Sequence, residues 1–97
     1  MAEIVSMVWG VVPAERRGDV IERYRATLAA GGKAPGIVRT YLLEGESGEL
    51  RVVTIWRDRE ALEAMRASGE EPFARRLLRE AGATPSAEFF EVLAESD

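Results

Sequence analysis

The chain contains no histidine, cysteine, asparagine or glutamine. Histidine is the side chain that most often transfers protons near neutral pH, and the thiolate of cysteine is a common nucleophile and metal ligand. Their absence excludes disulfides, thiol catalysis and zinc sites built on these side chains. A metal site made of carboxylates alone stays open, but no spacing of the acidic residues indicates one, and we expect no metal.

Long apolar runs and a surplus of basic residues are also missing. The 13 basic residues are scattered among 17 acidic ones, for a net charge of −4, so we expect no nucleic-acid binding. No apolar run approaches the roughly 20 residues that cross a bilayer, and no basic segment followed by an apolar one opens the chain. We therefore expect a cytoplasmic protein that does not bind membranes.

The 97 residues predict a single domain, residues 1–97. The first strand is expected over Glu3–Val12, where apolar residues point to both faces, and Pro13 ends it. Asp19, with Glu22 three residues later, has the spacing of a capping box. It predicts a helix over Val20–Ala30 that buries four side chains, namely Val20, Ile21, Tyr24 and Leu28.

The middle of the chain predicts a hairpin. Gly31 and Gly32 end the first helix, and the polar link 44–48 joins a second strand, Ile37–Glu44, to a third, Glu49–Trp56. Asp58 is placed to cap the next helix, which buries Ala61, Leu62 and Met65 before Ser68 and Gly69 interrupt it.

A further helical segment and a last strand complete the chain. The segment has Pro72 in its first turn, Phe73, Leu77, Leu78 and Ala81 at helical spacing, and Gly82 at its end. The last strand is expected over Ala87–Ala94. The element order is then β-α-β-β-α-β with the second α split, which predicts the ferredoxin-like α+β fold: a four-stranded antiparallel sheet with its helices on one face.

This fold leaves one face of the sheet without helices, although strands one and three are apolar on both faces. An uncovered apolar face of several hundred Å² is rare in monomers. A second copy related by a two-fold axis would cover it, so we expect a homodimer in which two sheets form an α+β barrel. A monomer with exposed apolar side chains is the alternative.

Several short segments resemble the antibiotic biosynthesis monooxygenase family. They are Thr54-Ile55-Trp56-Arg57-Asp58, Glu60-Ala61-Leu62-Glu63-Ala64-Met65, Ala34-Pro35-Gly36 and Phe89-Phe90-Glu91-Val92. The resemblance implies the dimeric α+β barrel and the oxidation of polycyclic phenols without metal, flavin or other cofactor. Haem-degrading relatives use an Asn, a Trp and a His. Trp56 matches that Trp, but Ser6, Met7 and Val8 occupy the Asn region and Met65 and Arg66 the His region, so the resemblance disfavours haem degradation.

Four residues are candidates for the catalytic site: Trp56, Arg39, Tyr24 and Tyr41. Trp56 is interpreted either as the wall of a pocket for a flat ligand or as a core residue. An Arg on a strand, such as Arg39, could bind a phenolate oxygen, or pair with Glu44, Glu49 or Glu91. Tyr24 and Tyr41 could donate hydrogen bonds to a substrate.

Two functions stay open at this point. One is cofactor-independent oxidation of an aromatic or quinol-type molecule in an apolar pocket between sheet and helices. The other is a non-catalytic dimeric barrel that binds small molecules or acts in stress. An active site requires a pocket beside Trp56 with an Arg or a Tyr hydroxyl free of protein partners. A pocket filled by Phe73, Met65 and Leu77 favours the non-catalytic protein.

Overall fold

The computed structural model describes residues 2–96. Its four strands are β1 (Ile4–Val11), β2 (Ile37–Glu44), β3 (Glu49–Trp56) and β4 (Ser86–Glu91), and its three helices are α1 (Arg17–Ala29), α2 (Arg59–Ala67) and α3 (Phe73–Glu80). A short 3-10 turn, Ala14–Arg16, precedes α1. The element order is the predicted one.

The sheet has the strand order β2-β3-β1-β4, and every neighbouring pair is antiparallel. The two strands whose residues are apolar on both faces, β1 and β3, are the central ones, as expected for strands covered on both sides. All helices pack on one face, which we call the helix face, and the ferredoxin-like α+β fold is confirmed. None of the helices formed by residues 2–96 is long and apolar enough to cross a membrane.

Two clusters of buried side chains hold the helices on the sheet. The larger cluster joins α1 and α3 to the sheet through residues such as Val20, Leu77 and Leu78. The smaller cluster joins α2 to the ends of β1 and β3 and consists of Ile4, Trp56, Ala61 and Leu62. Helix α2 therefore packs on its own part of the sheet, and the space between the clusters is left for a cavity.

The start of α1 differs from the prediction. The helix begins at Arg17, so Asp19 lies in its first turn and does not cap it. The 3-10 turn after Pro13 gives Arg16, the residue that precedes the helix, helical backbone angles (φ −98°, ψ −9°). The N-cap therefore lacks the extended backbone in which an acidic side chain caps a helix. Ile21 was predicted to be buried, but it is 37% exposed, because the helix turns only Val20 fully into the core.

The other boundaries are close to the predicted ones. Asp58 caps α2, since its carboxylate accepts a hydrogen bond of 2.8 Å from the backbone N–H of Ala61. Gly82 follows α3 with a φ of +97°, the left-handed conformation expected there. Strand β4 ends at Glu91 rather than at Ala94, because its partner strand β1 begins at Ile4 and offers only one further ladder bond, from Val92 N to Glu3 O at 2.9 Å.

No helix of residues 2–96 lies on the second face of the sheet, which we call the open face. In β1 and β3 most side chains on this face are apolar and half-buried, while Val11 is exposed and Glu49 and Arg51 are charged. The half-buried apolar side chains include Val5, Met7, Trp9, Val53 and Ile55. The predicted uncovered face is therefore present in the fold.

Candidate functional site

A cavity of about 220 Å³ lies on the helix face, between the sheet and the three helices. Its lining comes from both buried clusters: Val8 and Val52 belong to the larger one, and Trp56 to the smaller. The cavity is therefore the gap that separates α2 from α1 and α3. An engineered cavity of about 150 Å³ is large enough for benzene, so this one has room for a molecule of one or two rings.

Three hydroxyl groups form a row across the floor of the cavity. Thr54 lies at the centre on β3, opposite Ser6 on β1 and opposite Thr40 on β2. Ser6 is 6% exposed and Thr54 is 7% exposed, and all three residues line the cavity. Among the hydrogen bonds of residues 2–96, none involves the side chain of Thr54, so its hydroxyl is available to a ligand.

Trp56 is both a wall of the cavity and part of the core. The side chain is 4% exposed, packs with Ile4 and Leu62, and lines the cavity. Its indole Nε1 donates a hydrogen bond of 3.1 Å to the hydroxyl of Ser6. The two interpretations of this residue are therefore compatible, because the same burial that anchors the indole also fixes the orientation of the wall.

Tyr24 on α1 forms part of the opposite wall. Its hydroxyl donates to the hydroxyl of Thr40 over 3.3 Å, which is long for a bond between two oxygens. Phe73 and Met65 also line the cavity without filling it, and Leu77 is fully buried in the larger cluster. The arrangement is thus an apolar, partly aromatic cleft over a polar floor.

Three basic residues from three elements reach the rim of the cavity: Lys33 in the α1–β2 loop, Arg66 on α2 and Arg75 on α3. Arg66 stacks on the ring of Phe89 at 4.3 Å and pairs with Glu63 at 3.1 Å. Lys33 and Arg75 form no ion pair with a carboxylate of residues 2–96. No Asp or Glu in the described part of the chain lines the cavity, and none of its acidic residues cluster in a way that would hold a metal ion.

The sequence matches the antibiotic biosynthesis monooxygenase family over residues 4–82. This protein belongs to the antibiotic biosynthesis monooxygenase family. No curated protein matches the sequence.

Solved structures of the family share the fold over nearly their whole length. SnoaB, a cofactor-independent oxygenase from Streptomyces nogalater, is similar with a TM-score of 0.70 and 21% identity, over 96% of this chain and 95% of SnoaB. The haem-degrader MhuD from Mycobacterium tuberculosis, solved with two haems in its active site, is similar with a TM-score of 0.69 and 25% identity, over 97% of this chain and 99% of MhuD.

In this member of the family, the four predicted site residues do not all lie together. Trp56 and Tyr24 line the cavity, whereas Arg39 and Tyr41 point to the open face of β2, on the other side of the sheet. The guanidinium of Arg39 donates to the hydroxyl of Tyr41 at 3.2 Å, and this contact raises the pKa of Arg39. Within one subunit, two of the four candidates therefore line the cavity and two do not, and the catalytic role of each stays a prediction.

Arg51 also lies on the open face. It stacks over the ring of Trp9 at 5.0 Å and donates to the sulfur of Met7 at 3.2 Å. The Nη2 atom of Arg51 lies 3.9 Å from Oε2 of Glu49, which is at the limit for an ion pair. Neither Arg39 nor Arg51 therefore reaches the cavity of its own subunit.

The residues that the sequence-based prediction missed are the hydroxyl row and the free rim cations. Ser and Thr on a strand give no distinctive signal, and their alignment depends on the register of three strands. Lys33 lies in a loop, and Arg75 is one of several Arg residues on its helix. Only the packing of the loop and of α3 over the cavity distinguishes them.

Proposed function

We propose that this protein is a cofactor-independent monooxygenase that oxidises a small aromatic or quinol-type molecule in the cavity beside Trp56. The observation that supports it is an unfilled apolar cleft, with aromatic walls from Trp56 and Phe73, over a floor of hydroxyl groups. Such a site encloses a ring and offers hydrogen bonds to its oxygen substituent. Membership of the monooxygenase family supports the same reaction class.

The chemistry rests on the substrate itself. An electron-rich phenol or hydroquinone that has lost a proton can reduce oxygen without help from a metal or flavin. The contribution of the protein is then to hold the ring, exclude water and stabilise the negative charge on the ring oxygen. The hydroxyl groups of Thr54 and Thr40 are placed to donate hydrogen bonds to that oxygen.

No carboxylate of residues 2–96 lines the cavity and the chain has no imidazole, so no such base is at hand to remove the substrate proton. The basic rim formed by Lys33, Arg66 and Arg75 instead favours the ionised form of a bound phenol. We therefore assign proton removal to solvent before or during binding. Substrates that ionise close to neutral pH should react faster than simple phenols, and the pH dependence of the rate should follow the ionisation of the substrate.

Trp56 and Tyr24 are the proposed site residues within the cavity. Arg39 and Tyr41, the other two candidates, lie on the open face. A contact between subunits therefore suits them better than a contact with the substrate. We propose that this face pairs with the same face of a second copy to form a homodimer. Half-buried apolar side chains cover its centre, with Phe90 and Leu43 each 45% exposed towards its edges, and a two-fold axis would bury them against their equivalents.

Haem is a less suitable ligand than a small aromatic molecule. MhuD shares the fold and binds haem, but the cavity of about 220 Å³ is smaller than the roughly 300–1,000 Å³ of common ligand pockets. The chain also has no His or Cys to coordinate the iron. These observations favour a compact ring system.

The decisive experiment is oxygen consumption by the purified protein with a panel of hydroquinones and small polycyclic phenols. Trp56→Phe and Trp9→Phe form a matched pair, since they make the same change on opposite faces of the sheet. We expect turnover with at least one substrate, a large loss in Trp56→Phe and little change in Trp9→Phe, with each variant shown to keep its fold and assembly. Binding without oxygen uptake would identify the non-catalytic ligand-binding barrel instead.

A further inference from the structure

The rim of the cavity has the opposite charge to the protein as a whole. The chain carries a net charge of −4, yet the charged residues that line the cavity are all basic. Basic residues from a loop and two different helices line it, so the positive charge belongs to the cavity and not to one basic helix. A site lined by charges of one sign selects ligands by charge and raises their local concentration.

Two of these cations are available to a ligand. Arg66 is held against Phe89 and Glu63, whereas Lys33 and Arg75 have no carboxylate within ion-pair distance in the described part of the chain. Arg75 is half-buried and Lys33 is exposed. Both residues line the same cavity, and they suit a carboxylate, because a guanidinium can donate two parallel hydrogen bonds and a flexible ammonium can adjust to them.

The interior of the cavity has a different polarity. Its walls are apolar, and its floor offers only the neutral hydroxyl groups of Ser6, Thr40 and Thr54. A carboxylate, whose charge is localised on two oxygens, would be poorly solvated at the floor, whereas a phenol or phenolate oxygen would find hydrogen-bond donors there. The carboxylate is therefore favoured at the rim and the ring oxygen at the floor.

We infer that the ligand is a phenolic carboxylate of one or two rings, bound with its ring oxygen at the hydroxyl row and its carboxylate at Lys33 and Arg75. This inference rests on the proposed function and narrows its substrate class to anionic aromatic acids. The aromatic body lies between Trp56 and Phe73. The volume of about 220 Å³ sets the limit of about two fused rings.

Three related probes separate the contributions of the carboxylate and of the ring hydroxyl to binding. They are 6-hydroxy-2-naphthoate, 2-naphthol, which lacks the carboxylate, and 2-naphthoate, which lacks the hydroxyl. Binding is measured by isothermal titration calorimetry at low and at high salt. We expect 6-hydroxy-2-naphthoate to bind about 10-fold or more tightly than 2-naphthol at low salt, as for one charge-assisted contact. That advantage should shrink at high salt, where exposed charges are screened.

Variants then locate the charge effect. Lys33→Gln and Arg75→Gln should each weaken binding of 6-hydroxy-2-naphthoate by about 3- to 10-fold, as expected for a partly exposed charge pair, and leave 2-naphthol unchanged. Arg59→Gln is the matched control, because it removes the same charge from an exposed position on α2 outside the cavity. It should change neither affinity by more than about 2-fold.

The outcomes distinguish this inference from the proposed function. If 2-naphthol binds as tightly as 6-hydroxy-2-naphthoate, or if Arg59→Gln weakens binding as much as Arg75→Gln, the anionic ligand is wrong while the aromatic cavity stands. If none of the three probes binds, the aromatic cavity fails as well. Tight binding of 2-naphthoate equal to that of 6-hydroxy-2-naphthoate would overturn the role of the hydroxyl row.

Discussion

The indole N–H of Trp56 donates a hydrogen bond of 3.1 Å to the hydroxyl of Ser6 across the two central strands. Both side chains are almost fully buried, so water cannot easily replace either partner. A buried donor that loses its acceptor costs about 1–3 kcal/mol. The bond therefore stabilises the fold and fixes the plane of the aromatic wall.

Ser6→Ala should lower the free energy of unfolding by about 1–3 kcal/mol, because it leaves the indole N–H unpaired. In a Trp56→Phe background, Ser6→Ala should lower the free energy of unfolding by clearly less, since no indole N–H is left without an acceptor. Urea unfolding of the four proteins gives the coupling energy directly. Equal costs of Ser6→Ala in both backgrounds would show that the hydrogen bond contributes nothing.

The hydroxyl of Thr54 should matter for a ligand more than for folding. Thr54→Val keeps the shape of the side chain, and no protein hydrogen bond of the described residues is lost. We expect an almost unchanged free energy of unfolding. The affinity for 2-naphthol should fall by about 2- to 10-fold, as expected for the loss of one hydrogen bond. Naphthalene, which has no oxygen, serves as the control ligand; a comparable loss with it would mean that Val merely reshapes the floor.

Gly36 permits the close approach of α2 to the turn before β2. Its φ is +88°, and a Cβ at this position would lie 2.5 Å from the Cβ of Ala61. Gly36→Ala should therefore lower the free energy of unfolding by about 2–5 kcal/mol, through both the left-handed backbone and the overlap. Thermal or urea unfolding measures the effect.

Gly18→Ala provides the comparison for that substitution. Gly18 lies in the first turn of α1, and a Cβ there would have no atom within 4 Å. The same change of residue should leave stability unchanged or raise it by up to about 1 kcal/mol, because Ala is the better helix former. A large loss at both positions would mean that the packing at Ala61 is not the cause.

The fold could be predicted because its signals are local. Apolar residues on both faces of Glu3–Val12 and Glu49–Trp56 indicate central strands, and Asp58 before an amphipathic segment marks a helix start. The start of α1 was wrong by three residues because Pro13 introduces a 3-10 turn. Such a turn supplies helical backbone angles without a capping side chain, and the sequence pattern does not distinguish the two cases.

The candidate site was less predictable than the fold, because it depends on which face each side chain takes. Arg39 and Tyr41 are two residues apart and share a face, but that face is the open one. A single-residue shift of register would have placed them in the cavity, and the irregular pairing between Ile37 and Arg39 is where the register of β2 is set. The residues of the hydroxyl row and the rim cations come together only through contacts between segments that are distant in the sequence, so local patterns do not predict them.

Asp58 should make the stability of the protein depend on pH in the acidic range. The backbone N–H of Ala61 donates to its carboxylate and, with a smaller contribution from Arg57, lowers the pKa of Asp58. A carboxyl whose pKa is lower in the folded state stabilises the fold above its unfolded pKa of about 3.9. That contribution is lost as the pH falls through the lower, folded value.

Asp58→Asn tests this effect, because Asn is an equally good cap but does not ionise. We expect the wild type to lose more stability than the variant between pH 6 and pH 2, measured by urea unfolding at each pH. Glu60→Gln removes one charge from the same helix turn and is the control. Parallel pH profiles for the wild type and Asp58→Asn would contradict the prediction.

Ile55 lies near the middle of the open face, on β3 between Val5 of β1 and Arg39 of β2. If two open faces pack together, Ile55→Asp places a carboxylate in an apolar interface, where its desolvation is not compensated. We expect the wild type to sediment with the mass of two chains at micromolar concentration and Ile55→Asp with the mass of one. Ile21→Asp, on the exposed side of α1, should remain a dimer. A wild type with the mass of a single chain would exclude the dimer, and the apolar side chains of the open face would then require a different partner.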